Sequence, residues 1–252
     1  MVERARRASV GTFYAPGAWS SGEQVELDAA AAHHAAVKRI AGGDTVRLTN
    51  GAGRRATGIV ESVSKRGCVI SLANEPIEVV DAPSHIELWA PVGDRERMLM
   101  LAEKSVELAL SSWRPIIYAR SRSVSPRGEG ESFREKLRLR QINALEQCGG
   151  AWLPEVQVEM PLDAAFETLE SGKHDARVVL DVDGESLGTI TRELNGAVAV
   201  AVGPEGGLEE NERAEFIAHD WRPVSLGRNV LRFETAGIAA LAILRALSPI
   251  VT

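Results

Sequence analysis

Cysteine is almost absent: the 252 residues carry two, Cys68 and Cys148. They have no paired spacing and no histidine cluster near them, which argues against a disulfide framework and against a zinc site, so no metal is expected. A chain this poor in cysteine suits a reducing compartment, and a cytoplasmic location is expected. Long hydrophobic runs are missing too. No apolar stretch approaches the ~20 residues that a bilayer span needs, and the basic start Met1–Ser9 has no apolar region behind it. Neither a membrane span nor a signal peptide is therefore expected.

What remains is an ordinary globular composition, 44% hydrophobic and 25% charged, long enough for one large or two modest domains. The net charge of −6 argues by itself against a nucleic-acid partner. The distribution argues otherwise. Residues 1–72 hold ten Lys/Arg against six Asp/Glu, and Arg114–Arg140 holds eight against three. Such asymmetry points to an RNA- or membrane-facing end, with a solvated face as the competing account of either stretch.

Residues 1–75 read as β. Val46 and Leu48 alternate with polar neighbours up to the Asn50-Gly51 turn, Thr57–Val63 follows, and Ser64-Lys65-Arg66-Gly67 turns the chain into Cys68–Leu72. Short strands with tight turns predict a small barrel. Asp28–Ile40 reads as a short helix, on which the adjacent His33 and His34 do not share a face and so make a poor metal pair. The proline-bearing stretch Asn74–Ser84 marks the domain boundary, dividing the chain into 1–75 and 76–252.

From Ile86 the pattern changes to alternating strand and helix. Strands are expected at Ile86–Trp89, Pro115–Ala119, Glu155–Glu159, Arg177–Val182, Val198–Val202 and Val224–Leu226. Between them stand helices capped by Asp94, by a Ser132/Glu135 capping box running to Cys148, and by Asp163 running to Glu170. This alternation predicts a mostly parallel sheet covered by helices on both faces. The last helix, Val230–Leu247, is apolar nearly all round, so a second subunit is its natural cover, with a central position in a monomeric core as the alternative.

The chemistry concentrates in Val198–Leu247. The run Val198–Val202 breaks at Gly203-Pro204-Glu205-Gly206-Gly207, and a second short strand breaks at Gly227. A strand that stops at a glycine loop and resumes as a helix leaves backbone N–H groups free at the carboxyl edge of a sheet, where open α/β sheets bind ligands. The loop lacks both the phosphate-loop lysine and hydroxyl and the G-x-G-x-x-G spacing. Glu209, Glu210 and Glu212 follow it and would repel a phosphate, so the ligand is neutral or cationic. A flat edge beside a sulfonium, as in an adenine-bearing methyl donor, fits such a loop.

Two segments, Val202-Gly-Pro-Glu-Gly-Gly-Leu-Glu-Glu-Asn-Glu212 and Val224-Ser-Leu-Gly-Arg-Asn-Val-Leu-Arg-Phe-Glu-Thr-Ala236, resemble the two signatures of the RsmE family, the 16S ribosomal RNA uridine-N3 methyltransferases of the SPOUT superfamily. The likeness extends to His33-His34 with Val37-Lys38-Arg39 and Gly43-Asp44, and to Glu146-Gln147-Cys148-Gly149 with Pro154-Glu155. Local departures stand at Arg228, Asn229, Phe233 and Ala109. The resemblance implies a PUA-like RNA-binding barrel over 1–75 and a SPOUT α/β domain with a trefoil knot over 76–252. It also implies S-adenosylmethionine as cofactor, a homodimer, and methylation of uridine 1498, in the RNA's own numbering, within the small ribosomal subunit. It assigns the cofactor to Leu180, Asp181, Val202, Gly203, Pro204, Glu205, Gly206, Gly207, Leu226, Gly227, Val230, Leu231 and Arg232. Catalytic roles fall to Arg232 for the developing charge and to Glu205 or Glu234 for the proton, with a loop-fixing role as the alternative for Glu205. RNA contacts fall to Arg4, Arg6, Arg7, Lys38, Arg39 and Arg122. A SPOUT enzyme acting on another RNA such as tRNA, a non-catalytic RNA-binding protein, and a nucleotide-binding α/β enzyme stay open at this point.

Overall fold

The computed structural model describes residues 11–123, 128–169, 173–190 and 196–247. The chain forms two compact units, one from the residues up to Ala82 together with Ile142–Leu153, the other from Pro83–Gln141 and from Pro154 onward. A single cut near residue 75 does not anticipate the return of Ile142–Leu153 to the first unit.

In the first unit β1 (Thr12–Tyr14), β2 (Gln24–Leu27), α1 (Ala29–Val37), β3 (Thr45–Thr49), β4 (Arg54–Ser64), β5 (Gly67–Leu72) and β6 (Glu78–Val79) follow in order. The strands form one curled half-barrel in the order β1-β3-β4-β5-β2, with β6 on β4. Strand alternation fills it. In β4 Ala56, Gly58 and Val60 face inward, while Thr57, Ile59 and Glu61 face solvent. Gly58 has no room for a side chain, because an added Cβ would stand 2.6 Å from Ile70 Cγ2. Asp28 starts α1 by accepting from the Ala30 and Ala31 amides at 2.9 and 3.1 Å. The helix ends with Arg39 in the left-handed region, φ 57°, and the Ile40 amide donating back to Ala35 O at 2.8 Å.

The second unit contains β7 (Ile86–Pro91), α2 (Arg95–Glu107), β8 (Ser112–Ile117), a 3₁₀ turn (Ala119–Ser123) and α3 (Glu131–Cys148), whose last turns belong to the first unit. It continues with β9 (Glu155–Val156), β10 (Met160–Pro161), α4 (Leu162–Glu167), β11 (Ala176–Ser186), α5 (Leu187–Ile190), β12 (Val198–Ala201), α6 (Glu210–Ala218), β13 (Arg222–Ser225) and α7 (Phe233–Leu247). The sheet order is β10-β8-β7-β12-β11-β13, with β9 on β8, and every described pairing is parallel.

Period-two alternation divides its strands between two cores. Ile86, Leu88, Ala90, Val198 and Val200 pack with Leu101, Phe133, Leu187 and the α7 residues Phe233, Ala240 and Leu241. Trp89, Ala199 and Ala201 pack on the other face with Phe166, Phe216 and Trp221. Two apolar faces explain the continuous hydrophobic run in β12. Helix α7 buries Phe233, Ala236, Ala240, Leu241 and Leu244, while Ile238 and Ile243 remain only partly covered. Among the described residues no helix is long and apolar enough to cross a membrane.

Several boundaries differ from the sequence reading. Helix α3 begins at Glu131, so Ser132 lies inside it and makes no capping box. Its start follows Gly130, whose carbonyl accepts from the Phe133 and Arg134 amides, both at 3.0 Å. Helix α4 begins directly after Pro161, with Asp163 in its first turn rather than at the cap. The strand expected at Pro115–Ala119 starts at Ser112, where the buried Trp113 already pairs with Leu88 of β7. The one expected near Glu155–Glu159 shrinks to β9.

Candidate functional site

All sheet strands of the second unit point the same way, so their carboxyl ends define one edge. There, β11, the loop after β12 and the loop after β13 enclose a cavity of about 380 Å³. Leu180 and Asp181 come from β11. Val202, Gly203, Pro204, Glu205, Gly206 and Gly207 come from the first loop, and Leu226, Gly227, Val230 and Leu231 from the second. The wall also contains Val182, Leu208, Arg213, Val224, Ser225, Asn229 and Ala236, which are not among the residues that the resemblance assigns to the cofactor.

The first loop closes as a turn, with the Gly207 amide donating to Pro204 O at 2.8 Å and Gly207 at φ 74°. Two arginines hold it from outside. Arg97, in the first turn of α2, pairs with Glu205 at 2.9 Å, and Arg120 donates to Gly206 O. Behind the loop, buried Glu212 accepts from the Glu209 amide and from the Ala119 amide, both at 2.8 Å. Each carboxylate oxygen of Glu212 thus accepts from a backbone amide, and the residue is not on the cavity wall. On the wall itself Arg213 Nε stands 3.2 Å from Asp181 Oδ2. The second loop is pinned by Ser225, whose hydroxyl accepts from the Gly227 amide at 3.2 Å, with Gly227 at φ 139°. Among the described residues no lysine lines the cavity.

The three catalytic candidates are placed differently. Glu205 lines the cavity but is engaged by Arg97. Arg232 is exposed immediately before α7, and its carbonyl accepts from the Ala236 amide at 2.8 Å. It is absent from the cavity wall, which skips from Leu231 to Ala236. Glu234 is buried in the first turn of α7, and among the described residues its Oε2 has no hydrogen-bond partner. Of the RNA-contact candidates, Lys38 and Arg39 are exposed at the end of α1. Arg4, Arg6, Arg7 and the Arg122 side chain lie outside the described residues.

The histidines resolve separately. His33 is exposed, whereas His34 Nδ1 stands 3.0 Å from Glu146 Oε2, and Glu146 Oε1 accepts from the Tyr14 amide at 2.9 Å. Burial pushes the Glu146 carboxyl up; burial, helped by Lys38, pushes the His34 imidazole down. A grouping that sequence reasoning missed is His85, Glu87 and His174, whose ligand atoms all lie within 4.8 Å of one another. Nothing in the sequence spacing signals it, because His174 reaches the other two only through the pairing of the strands. Cys68 and Cys148 are both free.

An open parallel sheet with a cavity walled by two glycine loops at its carboxyl edge, in one chain with a small curled β unit, is an α/β protein whose cavity stands where open α/β sheets bind ligands. The chain belongs to the RNA methyltransferase domain family, whose model matches residues 80–245, and the model of an RNA methyltransferase PUA domain matches residues 27–73. A crystal structure of a ribosomal RNA small subunit methyltransferase E from Neisseria gonorrhoeae, bound to S-adenosyl methionine, superposes with a TM-score of 0.83 at 27% identity, covering 96% of this chain and 99% of that one. The protein of the same name from Rickettsia conorii is 24% identical over 239 residues, 89% of this chain and 91% of its own. That from Treponema pallidum is 34% identical over 122 residues, 46% of each chain.

Proposed function

We propose that this chain, located in the cytoplasm and acting as a homodimer, transfers a methyl group from S-adenosylmethionine to N3 of uridine 1498 in 16S ribosomal RNA within the small ribosomal subunit. The observation that carries this reading is the cavity wall: two glycine loops at the carboxyl edge of a parallel sheet, beside Asp181 of β11 and, among the described residues, with no lysine. Its ~380 Å³ falls in the range of small-molecule sites. Main-chain amides suit an adenine edge, and a wall whose carboxylates, Asp181 and Glu205, are each paired with an arginine suits a ligand without a phosphate cluster. When bound, S-adenosylmethionine supplies an electrophilic sulfonium methyl; N–C bond formation accompanies S–C cleavage, and S-adenosylhomocysteine and the N3 proton leave.

The chain's own residues then have separable tasks. The glycine loops hold the donor so that nitrogen approaches in line, which accounts for much of the acceleration. Arg232 stabilises the negative charge that develops on the uracil carbonyls, and Glu234 receives the N3 proton. Glu205 fixes the loop through Arg97. Ile238 and Ile243, only partly covered on α7, supply the apolar surface for the second subunit. Lys38 and Arg39 contact the RNA backbone. In its chain path, the second unit carries the trefoil knot of the SPOUT architecture.

The test is mass spectrometry of ribosomal RNA from cells lacking the protein, beside calorimetry with S-adenosylmethionine. The expected result is loss of one methyl from a single small-subunit uridine, with stoichiometric heat of cofactor binding. A methyl missing from tRNA instead would reassign the substrate, and absence of binding heat would overturn the reading.

A further inference from the structure

At the opposite, amino edge of the same sheet, His85 precedes β7, Glu87 is its second residue, and His174 precedes β11. We propose that these three side chains bind one divalent transition-metal ion of the zinc class, at a site separate from the carboxyl-edge cavity. Two imidazoles and one carboxylate form a donor set suited to zinc, cobalt or ferrous iron rather than magnesium or calcium, with a coordination position left for water.

The geometry fits that role better than a simple hydrogen-bonded cluster. His174 Nε2 stands 3.2 Å from Glu87 Oε2, both side chains fully buried. Two ligands bound at roughly 2.0–2.2 Å to a tetrahedral ion stand about 3.4 Å apart. Although close, the pair is not aligned as donor and acceptor: among the described residues Glu87 Oε2 and both ring nitrogens of His174 have no hydrogen-bond partner. Buried polar atoms left in this way are rare and costly. An ion between Oε2 and Nε2 satisfies two of the three.

The other carboxylate oxygen is already occupied. Glu87 Oε1 accepts from Trp89 Nε1 at 2.8 Å and from Arg114 Nε at 2.9 Å, which orients the carboxylate and leaves Oε2 facing the histidines. Arg114 is itself held by Thr168 Oγ1 at 2.7 Å. His85, half-buried, provides the approach from solvent; its ring stands 5.8 Å from that of His174, and its Nε2 makes a long contact to Ser112 Oγ at 3.5 Å. The competing cation is Lys173, with Nζ 3.5 Å from Oε2. Its side chain is 34% exposed, so it can swing into water as the ion enters. Arg114 stays, balancing the Glu87 charge.

The full-length protein, stripped with chelator, is titrated with Zn²⁺ by calorimetry and with Co²⁺ by visible absorption. The expected result is one equivalent per chain, weakened more than about tenfold by His85→Ala and by His174→Gln, a loss at least as large as removal of an outer-shell partner causes. Cys148→Ser, which removes the exposed thiol, leaves binding unchanged, and Lys173→Met binds at least as tightly as the parent. His85→Ala alters a half-buried residue outside the strands, so it reports on binding even if His174→Gln misfolds. The proposal is overturned if no stoichiometric binding occurs, or if His85→Ala binds as the parent does. Both readouts are independent of methyl transfer.

Discussion

Arg97 Nη1 donates to Glu205 Oε1 at 2.9 Å, tying the first turn of α2 to the glycine loop that walls the cavity. The carboxylate that a motif reading offers as a proton acceptor is thereby engaged by a guanidinium. Both side chains are about a third exposed, at 30% and 28%, so solvent screens the pair and its energy is about 0.2–1 kcal/mol. Arg97→Ala and Glu205→Gln should therefore each weaken S-adenosylmethionine binding by roughly two- to fivefold, measured by calorimetry. Methyl transfer should follow the lost affinity. A Glu205→Gln enzyme that binds normally but transfers nothing would restore Glu205 as the base.

Arg232 stands outside the cavity wall and is exposed, whereas Glu234 is buried with one carboxylate oxygen that has no hydrogen-bond partner among the described residues. Arg232→Ala should lower single-turnover methyl transfer by about 10²–10³, the usual loss when a donor to developing charge is removed. Cofactor affinity should stay within about twofold. Glu234→Gln should lower transfer by about 10²–10⁴ if the carboxylate takes the proton. A large fall in cofactor affinity for Arg232→Ala would instead make it part of the donor's pocket.

Helix α2 ends on a left-handed residue that is not glycine. Ala109 has φ 52°, the Leu110 amide donates to Ser105 O at 2.8 Å, and Arg245 Nη2 donates to Ala109 O at 2.6 Å. A Cβ in this conformation costs about 1–2 kcal/mol, which glycine avoids. Ala109→Gly should raise the free energy of unfolding by roughly 1 kcal/mol in denaturant titration, after allowance for the greater chain entropy of glycine. A loss of stability would show that the Ala109 methyl group contributes packing.

The His34–Glu146 pair makes stability depend on pH. The His34 pKa is lowered by burial, so its neutral form is favoured in the folded state. Stability is then complete above the unfolded value of about 6.5 and declines as pH falls below it. The raised Glu146 carboxyl works in the opposite sense: burying its ionised form costs stability once pH rises above about 4.3. Relative to the parent, His34→Gln should lose less stability between pH 7 and 5, and Glu146→Gln should gain stability at pH 7. Thermal melts across that range test both signs, and parallel curves for parent and variants would contradict them.

Much of the site was legible because it is local. A run of Val198–Val202 ending at Gly-Pro-Glu-Gly-Gly states that a buried strand stops at a turn needing glycine backbone angles, and Gly207 and Gly227 have positive φ. Asp28 and Asp94 cap their helices as their positions suggest. The same reasoning misplaced the start of α3, because Ser132-x-x-Glu135 satisfies a capping pattern while Gly130 and the packing of Phe133 decide the boundary. It also gave no warning that Glu146 would be buried against Tyr14 and His34.

By itself the sequence determined the strand–helix alternation of the second unit, the glycine turns and the apolar faces, since sterics and backbone hydrogen bonding act between neighbouring residues; the short β1, β2, β6, β10 and α5 carry no such local signal. Only the tertiary structure decided that β11 lies between β12 and β13, that Arg97 meets Glu205 across 108 positions, and that His174 joins His85 and Glu87. Those contacts depend on which strands pair and on how helices cover them. That choice minimises the exposed apolar area of a whole unit, and no short stretch of chain encodes it.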